Sequence, residues 1–312
     1  MGRGEATFHG YCGQKGVVSS IREHCNGALS KGIPLPHIML SGQSGMGKTQ
    51  LAKAIAAEMG TTCHEVYASP QTKRWQLAKV FASVKQGDLV FIDEIHALLD
   101  GPQELLYPAI DAHRVPVVDI GTHRIKEGEW IEGIPSFTVI AATDQPGRLK
   151  NALQQRLVLR FTLQPYTESE MRVIVFNRAS EMGILLSPQA ARRIAQASRG
   201  IPRRARHLLQ SLHTVMEDSA VTVSRATATR HLASLGIDQD NLTDNDRNYL
   251  ALLARRSGCV GLETVALQMG LDDVTLKRDV ETWLIHQELI GIGQGRYLTE
   301  KGKAYVKKRG IA

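Results

Sequence analysis

The feature that most constrains this chain is the stretch SGQSGMGKTQ, which begins at Ser41 directly after the apolar run HIML. It contains the pattern of a phosphate-binding loop, Gly42-x-x-x-x-Gly47-Lys48-Thr49, and the residues from Lys48 onward predict a helix. Glycines let backbone amides turn toward a phosphate, and the N-terminus of the helix adds favourable partial charge. Lys48 would meet the β and γ phosphates, and Thr49 would ligate Mg²⁺. The stretch therefore predicts a strand, a loop and a helix that hold a nucleotide with its metal ion.

Short apolar runs alternate with helical patterns through the first half of the chain. The predicted strands are HIMLS (37–41), CHEVYA (63–68), DLVFID (88–93), FTVIAA (137–142) and VLRFTL (158–163). Several of them are apolar on both faces, as buried parallel strands are, and helical segments at 48–60 and 74–85 separate them. The pattern predicts an α/β fold with a parallel sheet and helices on both sides. Residues 115–131 interrupt the alternation with two β-like runs around a polar turn, which predicts an inserted hairpin.

Two carboxylates, Asp93 and Glu94, end the apolar run that starts at Leu89. With the phosphate loop on a neighbouring strand, Asp93 can hold Mg²⁺ directly or through water, and Glu94 can orient and polarise an attacking water. The alternative is a solvated strand end whose acids cap a helix. His96 could transmit the state of the nucleotide, but a packing histidine is the favoured interpretation.

The second half of the chain changes character after Tyr166. Thr167 and Glu170 have the spacing of a capping box, and the helical patterns that follow predict a small all-α domain. From about residue 243, three helical stretches precede the hairpin-like ELIGIGQGRYLT and a basic tail, which is the pattern of a winged helix. The predicted domains are 1–166, 167–238 and 239–312.

Composition sets wider limits. The net charge of +7 permits a nucleic-acid partner without requiring one, because a soluble basic protein with solvated charges has the same balance. The cysteines, Cys12, Cys25, Cys63 and Cys259, are far apart, so we expect reduced thiols and a cytoplasmic protein. No apolar run is long enough to span a membrane. The eleven histidines lack metal-binding spacing, so no zinc site is expected.

Several longer segments occur in a specific order: FIDEIHALL…QELLYPAID, FTVIAATD, LQQRLVLRF and SRGIPRRARHLL. DEIH alone would suit a DEAH-box helicase, but this order resembles the RuvB family of AAA+ ATPases, the bacterial motors of Holliday-junction branch migration. YCGQKGVVSSI and the C-terminal segment from Val260 to Thr299 are also similar to that family. The resemblance covers nearly the whole chain and implies ATP hydrolysis coupled to movement of duplex or branched DNA.

The resemblance assigns further nucleotide contacts. Gly45 and Gln50 join Lys48 and Thr49 in the loop, while Tyr11, Cys12 and Tyr166 would lie beside the nucleotide, the first two at adenine. Arg203 takes the sensor-2 place at a helix start. Asp144 takes the sensor-1 place, where the family has threonine. An acid there could orient water but would be repelled by phosphate.

Arg156 takes the place of an arginine finger, which acts on ATP held by the neighbouring subunit and implies a ring or open spiral. The resemblance implies that six subunits form it. Such fingers contribute roughly 10³–10⁵ in rate. The alternative role for Arg156 is a surface salt bridge. A second family arginine, two positions earlier, is Gln154 here.

The resemblance also concerns partners. In the family, the inserted hairpin docks on RuvA, but the tip here, GTHRIKEGEW, is polar, so a different adaptor and a solvated loop are both open. Arg296 matches a contact to DNA phosphate, and a second such arginine is Gly291 here. These departures keep a second function in view: an AAA+ switch or loader that remodels a protein–DNA complex without extended translocation.

Overall fold

The computed structural model describes Phe8 and residues 11–119, 121–216, 221–256 and 258–311. Backbone contacts divide the chain into two compact units, residues 1–170 with 201–203, and residues 171–200 with 204–312. The helical and winged-helix parts thus share one unit. The predicted boundaries at 166/167 and 238/239 stay predictions.

A five-stranded sheet lies at the centre of the first unit, in the order β2-β3-β6-β1-β7. Its strands are β1 (Ile38–Ser41), β2 (Cys63–Tyr67), β3 (Leu89–Asp93), β6 (Thr138–Thr143) and β7 (Leu159–Thr162). Every neighbouring pair is parallel. All side chains of β1 and β6 are buried, which is why these runs are apolar without alternation. The predicted parallel α/β fold is confirmed.

Helices cover this sheet and connect its strands. They are α1 (Lys15–Lys31), α2 (Lys48–Met59), α3 (Arg74–Ala82), α4 (Asp100–Ala112) and α5 (Asn151–Arg156). The core between helices and sheet includes Leu77 and Phe81 of α3, Leu106 of α4 and Ile92 of β3. Because β1, β3 and β6 are adjacent and parallel, their carboxyl ends meet at one edge, and the phosphate loop and the acids lie there.

The predicted hairpin consists of β4 (Val115–Val118) and β5 (Ile125–Ile131), paired antiparallel with an irregularity between Pro116 and Val118. Ile120, in its turn, lies outside the described residues. His123 stacks on the indole of Trp75 in α3 at 4.6 Å between ring centroids. The Lys79 ammonium lies 3.0 Å from His123 Nδ1. These contacts hold the polar turn against α3.

Four helices lie wholly or mainly in the second unit: α6 (Glu168–Glu181), α7 (Pro188–Ala197), α8 (Pro202–Val215) and α9 (Arg225–Ser234). The first residues of α6 and of α8 belong to the first unit. The predicted capping box is present, since the Thr167 amide donates to Glu170 Oε2 and the Glu170 amide donates to Thr167 Oγ1. The helical pattern IPRRARHLLQSLHTVMED, which spans 201–218, predicts a helix here. Its last two residues, 217 and 218, lie outside the described residues.

The rest of this unit has the predicted three helical stretches and hairpin. Its elements are α10 (Asp244–Ala254), α11 (Leu262–Met269), α12 (Asp273–Thr275), α13 (Thr282–His286), β8 (Ile290–Ile292), β9 (Arg296–Leu298) and α14 (Glu300–Arg309). A π-helical segment, Leu276–Glu281, joins α12 to α13. The tail predicted only as basic is helical, because Thr299 caps α14 by accepting from the Gly302 amide and Val306 is buried.

A buried ion pair joins Arg199, just after α7, to Asp246 in the first turn of α10. Arg199 and Asp246 have side chains that are 1% and 0% exposed. The same carboxylate accepts from the Thr243 amide and hydroxyl, both at 2.6 Å. The Arg199 guanidinium also lies 5.0 Å from the ring centroid of Trp283. These contacts hold the helical and winged-helix parts of the unit together.

Among the described residues, no helix combines the length and the apolar character needed to cross a membrane.

Candidate nucleotide-binding site

The phosphate loop connects β1 to α2, and its backbone requires glycine. Gly42, Gly45 and Gly47 have φ values of 141°, 84° and 94°, a region that residues with a side chain rarely adopt. A Cβ atom on Gly45 would lie 2.6 Å from Arg203 Cβ, so the loop and Arg203 are in close contact. The spacing of glycines seen in the sequence is therefore a steric requirement of this turn.

Lys48 begins α2 and is buried at the base of the loop. Its Nζ donates to the carbonyl of Gly42 at 2.7 Å and to that of Gln43 at 3.2 Å. Burial lowers the pKa of Lys48, while Glu94, Asp93 and other carboxylates near it oppose that shift. A phosphate entering the loop would replace the carbonyls as the partner of the ammonium. Gln50 lies in the same first turn of α2 and is exposed.

Thr49 and Asp93 form the pair that could hold Mg²⁺. The Thr49 hydroxyl points to Asp93 Oδ2 at 3.5 Å, and Asp93 Oδ1 accepts from the Glu94 amide at 3.0 Å. A hydroxyl and a carboxylate fit the all-oxygen coordination that Mg²⁺ prefers, with waters and phosphate oxygens completing it. The structure brings together the two residues predicted for the metal.

Glu94 follows Asp93 in a left-handed backbone conformation, with φ of 52°. Such strain at a non-glycine residue is typical of functional sites. Burial raises the pKa of Glu94, and the nearby carboxylates of Asp144 and Asp93 raise it further. A carboxylate with a raised pKa is a better base toward water.

His96 and Asp144 meet beside Glu94. His96 Nδ1 lies 3.4 Å from Glu94 Oε2, 3.7 Å from Asp144 Oδ1 and 3.0 Å from Thr143 Oγ1. The ring is packed and hydrogen-bonded, as favoured from the sequence, yet it also lies within the group of acids. Sequence reasoning missed Thr143. Its Oγ1 accepts a hydrogen bond from the Gln145 amide at 2.9 Å, and its contact with His96 Nδ1 orients the ring. Thr143 ends the buried strand β6 and directly precedes Asp144, and this position in the sequence could have indicated it as a site residue.

Tyr11 and Tyr166 lie together beside the loop. The Tyr166 hydroxyl lies 3.0 Å from the Tyr11 hydroxyl and 3.1 Å from the carbonyl of Met46. A Cβ atom on Gly47 would be within 3.4 Å of both phenol oxygens, which shows how near they are to the glycine turn. Burial raises the pKa of both tyrosines. The Cys12 thiol reaches the carbonyl of Glu170 at 3.6 Å.

Arg203 lies at the start of α8 and reaches the loop. Its Nη1 donates to Ser44 Oγ at 2.6 Å, and its amide donates to the carbonyl of Gly45 at 3.3 Å. The predicted sensor-2 arginine is therefore within the same unit as the phosphate loop and beside it.

Arg156 is held elsewhere in the first unit. Its Nε donates to both carboxylate oxygens of Asp111 at 2.9 Å, and its guanidinium lies 4.5 Å from the ring centroid of Tyr107. About a quarter of the side chain is exposed, at 26%. The surface ion pair considered from the sequence thus exists, and it presents the arginine at the surface of the subunit.

Arg296, predicted to bind DNA phosphate, is paired with Glu281. Its Nε lies 2.9 Å from Glu281 Oε1, and its side chain is 12% exposed against 2% for the acid. Tyr249 donates its hydroxyl to the same carboxylate at 2.8 Å. A phosphate would have to share this guanidinium with a buried acid, so the DNA contact of Arg296 stays a prediction.

Gly291 has a local reason for lacking a side chain. A Cβ atom there would lie 2.5 Å from Tyr297 Cζ, because the tyrosine ring covers the glycine backbone across the β8–β9 hairpin. A side chain at position 291 would have to displace the far end of the exposed Tyr297 ring.

Comparisons with known proteins agree with this architecture. The family model for the Holliday junction DNA helicase RuvB P-loop domain matches residues 4–163. The RuvB AAA lid domain matches 166–238, and the RuvB C-terminal winged helix domain matches 239–307.

Whole proteins match as well. The Holliday junction branch migration complex subunit RuvB of Parasynechococcus marenigrum is 33% identical over 97% of this chain and 88% of its own length. That of Campylobacter fetus is 33% identical over 95% of this chain and 86% of its own. The solved structure of the Thermotoga maritima RuvB Holliday junction branch migration motor matches with a TM-score of 0.80 and 30% identity, covering 96% of this chain and 97% of that one. With this identity over nearly its full length and matching models for all three domains, the chain belongs to the RuvB family.

Proposed function

We propose that this protein is an ATP-hydrolysing motor that moves branched DNA, acting on Holliday junctions or related recombination intermediates. The observation that supports this most directly is the meeting of Lys48, Thr49, Asp93 and Glu94 with Arg203 at one phosphate loop. That group has the parts needed to bind a nucleoside triphosphate and to cleave it with water. Bacterial DNA lies in the cytoplasm, so the proposal implies that compartment.

The site residues would divide the reaction as follows. Lys48 exchanges the carbonyls of Gly42 and Gln43 for phosphate oxygens. Glu94 orients and polarises a water for attack on the γ phosphate. Thr49 and Asp93 would hold Mg²⁺, which would neutralise phosphate charge when bound. Arg203 would leave Ser44 for the γ phosphate, so its position would change after hydrolysis and release.

We propose that Arg156 completes the site of a neighbouring subunit. Its guanidinium lies 4.5 Å from the ring centroid of Tyr107 and is bound by Asp111, which is half-exposed. Because the Asp111 carboxylate is half-exposed, a phosphate from the neighbouring subunit can compete with it for the guanidinium. A finger acting on the next subunit requires a closed ring or open spiral, and a ring of six is our proposal.

DNA would bind the winged-helix part through phosphates. Lys307 and Lys308 are exposed in the last turn of α14, where they add positive charge to the winged-helix part. Contacts of this kind are independent of sequence and weaken with salt, because each one releases condensed cations. Arg296 adds a contact if phosphate competes with Glu281.

For an adaptor, the inserted hairpin is the proposed docking element. The exposed positions of β5 carry Lys126, Glu127 and Glu129, and the turn is held to α3 by His123. A RuvA-like partner would therefore recognise this hairpin through charge instead of through an apolar tip.

The test is steady-state ATP turnover at low salt, measured alone, with linear duplex and with a four-way junction. We expect stimulation by duplex and a further gain with the junction. The control is Glu94→Gln, which should bind ATP with wild-type affinity and fail to hydrolyse it on any DNA. Basal turnover that no DNA changes would contradict the motor proposal.

One observation favours a second function, an ATP-dependent switch or loader. Gly291 is covered by Tyr297 and Arg296 is bound by Glu281, so the winged-helix part would bind DNA phosphate more weakly. A switch would turn over ATP and change assembly on DNA without displacing strands. A strand-displacement assay on a labelled junction separates the two, because only the motor releases product duplexes.

A further inference from the structure

We propose that a groove between α10 and α11 binds the phosphates of duplex DNA, in place of the recognition helix that a winged helix usually presents to it. The groove has a volume of about 550 Å³, and polar side chains of both helices line it together with the two arginines that follow α10. The inference rests on the proposed action on DNA and names the surface that would hold the duplex.

One face of α10 forms a wall of this groove. Asn245, Asn248, Leu252 and Arg255 follow one another at spacings of three and four residues, so they lie on the same side of the helix. At 1.5 Å per residue, the row is about 15 Å long. Each strand of duplex DNA carries a phosphate for about every 3.4 Å of its axis, so a row of this length can meet more than one phosphate.

The charge of the groove is positive. Arg255 and Arg256 are exposed, and among the described residues no acid is paired with either guanidinium. The lining residues that the structure describes include no aspartate or glutamate. Gln268 of α11 adds a carboxamide to those of α10. Guanidinium and carboxamide N–H groups are common donors to DNA phosphate, and arginine can donate two parallel hydrogen bonds to it.

The lining suits a phosphate backbone better than a segment of protein. Its apolar members are Ala251, Leu252 and Met269, and none of the described lining residues is aromatic. Protein partners usually gain affinity from large anchors that fill apolar pockets, whereas this groove offers a row of donors. Phosphate contacts need no such pocket, because much of their free energy comes from the release of condensed cations.

The surface that related folds present to DNA is less suited here. In helix-turn-helix proteins the second helix of the motif enters the major groove, and the segment from α12 to α13 takes its place in this chain. That segment begins with two acids, Asp272 and Asp273, which would repel phosphate. Its Arg278 is paired with Asp279, with Nε 2.8 Å from Oδ1. The arginine pair of the groove is therefore better placed to meet DNA than the cations of this segment.

The experiment is an anisotropy titration of a fluorescein-labelled duplex with the full chain, without nucleotide, over a range of salt concentrations. We expect Arg255→Gln/Arg256→Gln to weaken binding at low salt by roughly tenfold or more. Each phosphate contact contributes about 0.9 to the slope of log affinity against log salt, so the slope should fall by about 1.8. The matched control is Lys277→Gln/Arg278→Gln, which removes two neighbouring cations from the α12–α13 segment and should leave the affinity within about twofold.

A second variant should gain binding, a result that loss of folding cannot produce. Asn248→Arg adds a cation to the row, so it should strengthen duplex binding and steepen the salt slope by about 0.9. Full affinity in the Arg255→Gln/Arg256→Gln variant, or an equal loss in the control, would overturn the proposal. So would binding of polyglutamate that depends on this arginine pair while duplex binding does not, because the groove would then hold an acidic protein segment.

The outcomes separate this surface from the proposed function. If DNA stimulates ATP turnover of the wild-type chain but the arginine variant binds duplex as tightly as the wild type, the surface is wrong and the motor stands. If duplex binding depends on the arginine pair but no DNA changes ATP turnover, the surface is confirmed and the motor is contradicted.

Discussion

Replacing Asp246 with alanine should destabilise the unit formed by residues 171–200 and 204–312 by roughly 3–5 kcal/mol, the usual cost of leaving a buried charge unpaired. The Asp246 and Arg199 side chains are 0% and 1% exposed, so neither charge is screened by water. Without the carboxylate, the Arg199 guanidinium would keep the carbonyl of Asn241 and the ring of Trp283 as partners. Thr243 would lose the reciprocal bond of its capping box, and the lost cap accounts for about 1 kcal/mol of the total.

The assay is differential scanning calorimetry of the full chain, in which the transition of this unit should fall by on the order of 10 °C. Asp244→Ala is the matched control, because Asp244 lies in the same first turn, pairs with Arg247 and has a side chain that is 74% exposed. Its loss should cost under about 1 kcal/mol. The double variant Arg199→Met/Asp246→Leu should recover part of the stability, since neither charge of this pair is left without its partner.

Two results would refute this reasoning. One is a transition of Asp246→Ala that matches the Asp244→Ala control. The other is a double variant less stable than Asp246→Ala alone, which would mean that packing and not the unpaired charge sets the cost.

The remaining predictions concern binding, catalysis and pH. Lys48→Ala should lose nucleotide binding in a titration with a fluorescent ATP analogue, and retained affinity would remove Lys48 from phosphate recognition. Arg156→Ala should abolish ATP turnover but regain it in rings mixed with Lys48→Ala subunits, whose intact fingers serve the neighbouring sites; mixed rings without turnover would argue against action in trans. Arg296→Ala should weaken binding to duplexes of every sequence alike in an anisotropy titration, and unchanged affinity in a folded variant would place DNA on another surface. His37 has a pKa lowered to about 4 by burial, so it folds as the neutral form. Stability from this group is complete above its unfolded pKa, about 6.5, and is lost as pH falls toward 4; a His37→Gln variant should show a flatter loss of melting temperature over that window.

Much of the fold follows from interactions that are local in the sequence. The glycines at 42, 45 and 47 specify the loop because only they tolerate its φ values. The fully apolar runs predict parallel strands because both faces of the sheet are covered, and Thr167 with Glu170 predicts a helix start through bonds three residues apart. Backbone conformation at these positions depends mainly on neighbouring residues, so a single sequence carries this information.

Tertiary structure alone decided which side chains meet across long separations. Arg203 contacts Ser44, and the group of Glu94, His96 and Asp144 forms where two strands end side by side. Neither arrangement has a periodic signal, because strand order and domain packing determine it. The physical reason is that charge and hydrogen-bond energies depend on distances through space.

The winged-helix part shows most clearly how the prediction from sequence differs from the folded structure. The family resemblance assigns Arg296 to a contact with DNA phosphate, and a second such arginine is Gly291 in this chain. In the folded chain, the buried acid Glu281 holds the arginine and the ring of Tyr297 covers the glycine. The sequence by itself determined that this segment forms a hairpin after three helices. Only the tertiary structure decided which of its charges face solvent, because an arginine binds whichever acid the fold buries beside it.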